Sequence, residues 1–214
     1  SQQVIAKGND RNSGDGLGTK IVYNEMYNQV FVSSPNHSYD LNGDNYLSNS
    51  GAVYVWTINS DGSFSYVQKI VANTRIAGAK FGSQMATKNN VFSVISVAVG
   101  TQVKADIFEY QGGKWVYLST YSDTGTTTSQ NVLNVANPYN IDSSVITTNG
   151  TSIVICGYII SSTYHLVLND YKDLTNTFTI KNNYISYTNP ALSVMMGENI
   201  FVVSIPTNNM DQSN

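Results

Sequence analysis

The chain has 214 residues, a formal net charge of −3, and only 12% charged residues. That charged share is about half the usual ~25%, and so weak a charge gives no field that would favour nucleic acid or an anionic membrane. At 41% hydrophobic the chain is too apolar for disorder, and no run approaches the roughly 18 apolar residues of a membrane-spanning helix. Its 16 Gly and 15 Tyr, with abundant Asn, Ser and Thr, suit sheet faces and wet surfaces. That composition is shared by secreted, cell-surface and virion proteins. The N-terminal Ser1-Gln2-Gln3-Val4 shows neither a basic n-region nor a long apolar h-region.

The apolar pattern has period two, not 3.6, which predicts an all-β chain. In chain order, strands are predicted at 30–32, 52–56, 64–67, 91–99, 105–110 and 115–118, then at 145–146, 152–156, 165–168, 178–180 and 200–205. Asn59-Ser60-Asp61-Gly62-Ser63 and Gln111-Gly112-Gly113-Lys114 read as hairpin turns, because Asp-Gly and Gly-Gly supply the positive φ that tight turns need.

An internal repeat organises these strands. Gln3-Val4-Ile5-Ala6 leads through a polar stretch to Gly16-Leu17-Gly18-Thr19, and Lys69-Ile70-Val71-Ala72 leads similarly to Lys80-Phe81-Gly82-Ser83. From Gly18 to Gly82 the period is roughly 60 to 65 residues. After each glycine come a strand pair, a loop and a hairpin. Four strands per unit is what a propeller blade requires, and a lone blade must stack on neighbours to bury both faces. The predicted fold is a single β-propeller segment over 1–214, with blades at 16–75, 79–121 and 141–181 and a partial blade at 190–206. That makes about three full blades with partial blades at both ends. Two closures stay open: an internal piece of a longer propeller, or a small four-bladed ring with one composite blade.

At Gly16-Leu17-Gly18, Phe81-Gly82-Ser83, Val32-Ser33-Ser34-Pro35 and Ser50-Gly51-Ala52-Val53-Tyr54-Val55-Trp56 the chain resembles the FG-GAP repeats of integrin-α-like β-propellers. The match covers residues 3–120 and weakens beyond, where Ser143-Ser144 stands in place of Phe-Gly. The resemblance implies a propeller that presents loops for adhesion or partner binding. It names no partner, since fold does not fix function.

The sharpest local motif is Asp40-Leu41-Asn42-Gly43-Asp44-Asn45-Tyr46-Leu47-Ser48. Calcium takes six to eight oxygen ligands from a flexible loop. Asp40, Asn42, Asp44, the Tyr46 carbonyl and Ser48 offer oxygens at alternate positions, so they form a candidate calcium loop. The stretch also looks like the calcium loops of FG-GAP blades, with Asn45 in place of the family glycine and Ser48 in place of the final aspartate. The competing reading is an Asx-rich turn. Asn9-Asp10 to Asp15 reads as a solvated linker, with a second ion loop as its alternative.

His37 and His165 lie far apart and read as ordinary polar positions, which disfavours zinc. Cys156, the sole cysteine, sits in an apolar run and reads as a small core residue. Its pairing with His165 as a nucleophile lacks an orienting third group. Ser60-Asp61-Gly62-Ser63-Phe64 faintly resembles the Asp-box turns of sialidases, but a carboxylate grip of that kind needs several arginines. This chain has only Arg11 and Arg75. Trp56 and Trp115 are predicted to pack between blades. The sequons at Asn36 and Asn149 carry little weight in a chain this rich in Asn, Ser and Thr. The reading that results is a non-catalytic binding or assembly module of an extracellular, cell-surface or virion protein. It would contact protein or glycan partners and further blades or subunits, without nucleic acid and without membrane insertion. The alternative is a carbohydrate-active propeller, either lectin or glycoside hydrolase.

Overall fold

The computed structural model describes residue 10, residues 12–97 and 103–122, and six further strands between residues 145 and 204, the latter as backbone only. Every regular element among these residues is a strand. Strands β1 (Ile21–Asn24), β2 (Gln29–Ser34), β3 (Ala52–Ile58) and β4 (Phe64–Ile70) form the first antiparallel sheet in the order β1-β2-β3-β4. Strands β5 (Gln84–Lys88), β6 (Val91–Val97), β7 (Val103–Gln111) and β8 (Lys114–Ser122) repeat that order in the second. Further along, β9 (Val145–Thr148), β10 (Ser152–Tyr158), β11 (Tyr164–Asp170) and β12 (Thr177–Asn182) form a third meander, and β13 (Ser193–Met196) pairs with β14 (Phe201–Ser204). The first strands lie in succession, β1 beside β5, β5 beside β9, and β9 beside β13.

The hairpins form where Gly and Asx supply unusual backbone angles. Gly112 and Gly113, at φ 57° and 88°, close β7 onto β8. Between β3 and β4 the Asp61 carboxylate accepts the Ser63 N–H at 2.9 Å, and Gly62 sits at φ 79°. Asn28 and Asn89, at φ 51° and 52°, occupy the matching turns that open β2 and β6. The predicted strand at 91–99 is described to Val97; residues 98–99 and 3–6 lie outside the described residues.

The two fully described sheets pack face to face. Phe31, Val53, Val55 and Ile70 of the first meet Met85, Phe92, Val94, Phe108 and Trp115 of the second. Phe31 stacks on Phe92 with ring centroids 4.1 Å apart, and Trp115 meets Phe31 edge-on at 5.2 Å. Trp115 is fixed by polar bonds as well. Its indole N–H donates to Gln29 Oε1 at 2.8 Å, its backbone N–H donates to Gln68 Oε1 at 2.8 Å, and Gln68 Nε2 donates back to its carbonyl at 3.1 Å.

Neither sheet presents a bare face at its centre. In β3, Ala52, Val53, Tyr54, Val55 and Trp56 are all buried, and in β6 residues 91–96 are all buried. Neighbouring residues of a strand point to opposite faces. A continuous buried run therefore means that both sides of the sheet are covered, as in a strand between two layers. The second face of the first sheet carries Ala52, Tyr54 and Trp56 with Val30, Val32, Leu17 and Val71 around them.

The glycines of the repeat act at the joint between the sheets. Gly18 N–H donates to the Ser33 carbonyl at 2.9 Å, and Gly82 N–H donates to the Ile95 carbonyl at 3.1 Å. The turns before them match too, Thr19 N–H to the Gly16 carbonyl and Ser83 N–H to the Lys80 carbonyl. Gly51 forms a parallel bridge with Phe81, and a Cβ there would stand 2.3 Å from the Phe81 backbone. The fully buried Phe81 is thereby pressed onto the start of β3.

Candidate functional site

Two polar features are built around the loop that follows β2. The first is a buried ionic core. His37 follows β2 and is fully buried. Its Nδ1 is 2.9 Å from Asp15 Oδ2 and its Nε2 is 3.3 Å from Asp10 Oδ2. Lys69 of β4, also buried, pairs with Asp10 and donates to the Asp40 carbonyl. Tyr54 donates its hydroxyl to Asp10 Oδ1 at 3.1 Å. Burial, and then the Asp10 carboxylate, push the Tyr54 phenol above its ordinary value. Burial would also raise Asp10, but Lys69, His37 and Tyr54 outweigh it and hold that carboxyl below its ordinary value. Asp10 and Asp15 of the segment read as a solvated linker are thus drawn inward, while residues 12–14 between them are exposed. Asp10 and Asp15 end on opposite sides of the His37 ring because that ring and Lys69 would otherwise be buried without partners.

Arg75, from the link between β4 and β5, completes the framework. It donates to the carbonyls of Asn45 at 3.0 Å and Ser38 at 2.9 Å, and to Ser50 Oγ at 3.0 Å. With both His37 ring nitrogens facing carboxylates, neither is offered to a nucleophilic hydroxyl. The chemistry of this core is that of a latch between residues 10–15, the loop after β2, and β4.

The candidate calcium loop lies directly above it. The Asp40 carboxylate accepts the backbone N–H groups of Asn42 and Asp44, each at 3.0 Å, and the Asn45 side-chain amide. These bonds set its pKa well below the carboxylate range, the Asp44 amide contributing most. Asn42, Asp44, Tyr46 and Ser48 are exposed along the same loop. A cation there would share Asp40 with the loop's own amides and draw its other ligands from exposed groups. Among the described residues no three His, Cys, Asp or Glu side chains cluster in a way that would hold a metal.

The second feature is an open groove of about 540 Å³ between β4 and β8. Its floor is the buried pair Phe108 and Trp115, and its walls carry Tyr117, Leu41, Asn42 and Asn73. Behind Asn73, whose N–H donates to Asp106 Oδ2 at 3.0 Å, lies a second buried carboxylate. Burial raises the Asp106 pKa, offset in part by the Thr120 hydroxyl, which donates to it at 2.6 Å.

Sequence reasoning brought neither His37 with Asp10 and Asp15, nor the groove, into view. The only signal for the first was an isolated histidine, between Asn36 and Ser38, just past a strand end. Trp115 does pack between the sheets, as expected, and Trp56 is buried on the opposite face of the first sheet. In the third sheet the register pairs Cys156 with Leu166 and Gly157 with His165; those side chains lie outside the described residues. The Asp-box-like turn is a hairpin turn whose Asp61 is consumed by Ser63. No family model, curated protein or solved structure matches the chain.

Proposed function

We propose that this chain is a segment of a β-propeller that serves as a non-catalytic binding and assembly module of an extracellular, cell-surface or virion protein. The observation that carries the reading is the groove between the first two sheets, framed by ionisable groups that are bonded to other parts of the fold. Lys69, Arg75 and Asp40 line it, each bonded to internal partners, and the Arg75 Nε that lacks one is buried. A catalytic acid or base needs a lone pair or proton directed at substrate. This groove offers surface and neutral polar groups instead, which suits recognition of a protein or glycan.

The burial of both faces of β3 and β6 supports the propeller, because a two-layer sandwich leaves one face of each sheet to solvent. The succession of first strands β1, β5, β9 and β13 supports it as well. Calcium enters as a proposed ligand of the 40–48 loop in the shared mode described above. Titrating EDTA-treated chain with calcium tests it: a saturable rise in Tm with calcium but not magnesium supports the site, and an unmoved Tm removes it.

The binding reading is tested by adhesion of labelled chain to a panel of cell surfaces, alongside a groove-blocked variant, Asn73→Trp. Saturable adhesion that the variant loses, with no product released from oligosaccharides, is the expected outcome. Adhesion unchanged by the variant, or turnover of an oligosaccharide, would contradict it.

A further inference from the structure

Resting on the reading of the groove as the contact site, we infer that its ligand is a neutral saccharide, held by Tyr117 and Leu41 through its apolar face and by Asn42 and Asn73 through its hydroxyls. The groups in the groove differ in whether they are still free to bind. The charged ones are not. The Lys69 ammonium is committed to Asp10 and the Asp40 carbonyl, and the two terminal nitrogens of Arg75 to two carbonyls and Ser50, while its unpartnered Nε is closed off from solvent. The Asp40 carboxylate is committed to three N–H donors of its own loop. An anionic ligand would have to draw the buried Lys69 from Asp10, which is costly, or take Arg75 from the carbonyls that it holds in place.

The neutral groups differ. Asn42 and Asn73 are exposed, and neither side-chain amide makes a hydrogen bond among the described residues. Each primary amide offers two donors and one acceptor, the complement of vicinal hydroxyls that both donate and accept. Tyr117 and Leu41 stand exposed beside them, 36% and 58% accessible. Tyr117 bonds its hydroxyl to Thr120 at 2.8 Å, which fixes the ring as an apolar plate. A sugar ring carries an apolar C–H face and a polar hydroxyl rim, and so matches both sets at once. The volume of about 540 Å³ lies inside the roughly 300–1,000 Å³ range of small-ligand sites.

A peptide strand is the competing occupant, and the edge of β8 is capped against it at one position. Strand addition needs the free backbone N–H and C=O of an edge strand. At Trp115 on the edge strand β8 both are already taken by the Gln68 side chain.

The test is a glycan array carrying neutral, sialylated and sulfated oligosaccharides, followed by calorimetry on the best neutral hit. Binding to neutral glycans is expected, changing less than about twofold between 0.05 and 0.5 M NaCl because no ion pair forms. Tyr117→Ala should weaken it about tenfold or more, a loss of one stacking contact. Tyr117→Phe should retain it within about twofold, and Asn73→Ala should weaken it about fivefold. Tyr117 and Asn73 are exposed, so an unshifted urea midpoint in these variants separates lost binding from lost fold. Binding to anionic glycans alone, or neutral binding indifferent to Tyr117→Ala, overturns the inference. If no neutral glycan binds yet Asn73→Trp still abolishes cell adhesion, the saccharide is wrong and the groove stands. If adhesion also survives Asn73→Trp, both fail.

Discussion

Four side chains, Asp10, Asp15, His37 and Lys69, set the electrostatics of the loop end, and two of them face a histidine ring that water does not reach. Removing the ring leaves the buried Asp15 with only the Asn12 N–H as donor. His37→Ala should therefore cost about 2–3 kcal/mol in urea unfolding, and a loss under about 0.5 kcal/mol would show that the core is not a latch. The two perturbed carboxyls respond to acid in opposite senses. Asp10 is lowered when folded, so it stabilises above its ordinary 3.8 and loses that contribution as pH falls through the folded value. The deficit of Asp10→Asn relative to the parent chain, about 1 kcal/mol at pH 7, should therefore shrink to nothing in strong acid. Asp106 is raised, so its charge costs stability once pH rises through its folded value and costs nothing below 3.8. An amide can accept from Asn73 and donate to Thr120 in the same place. Asp106→Asn should accordingly gain about 0.5–1 kcal/mol at pH 7, a gain absent at pH 3. Equal effects at both pH values would contradict the burial argument. None of this was legible beforehand. Asp10 and Asp15 sit among Asn, Gly and Ser, a composition that signals solvent, and only the distant Lys69 and His37 reverse that.

At the scale of elements, the joint between sheets depends on backbone approach that no side chain permits. Gly51→Ala would drive a Cβ into the Phe81 backbone at 2.3 Å, and should cost more than about 3 kcal/mol or prevent folding. Gly113 has a similar φ, 88°, but open space around it. Gly113→Ala should cost only about 1–2 kcal/mol of backbone strain. Comparable urea midpoints for the two variants would mean that the Gly51–Phe81 contact does not hold the sheets together. Strands β2, β3, β6 and β7 stood out in the sequence through their apolar residues, and β3, β6 and β7 are buried on both faces across their centres. The first strands β1 and β5 did not. Ile21-Val22-Tyr23-Asn24 is mostly exposed, and Gln84-Met85-Ala86-Thr87-Lys88 mixes small and polar residues. Their pairing comes from register with β2 and β6, which a single strand's pattern does not carry.

At the scale of the molecule, the first two meandering sheets are packed so that each covers an apolar side of the other. Period and four-strand rhythm conveyed that much in the sequence, since hairpin glycines and apolar runs recur together. The groove was invisible there because it is assembled from the loop after β2, the edge of β4 and the face of β8. Those segments are brought together only by the packing of one sheet on the next. The most direct measurement is an experimental structure of the chain. Successive four-stranded meanders, with β1, β5 and β9 side by side around one axis and both faces of β3 and β6 covered, is the result the account predicts. A two-layer sandwich with one face of each sheet open to water would contradict it.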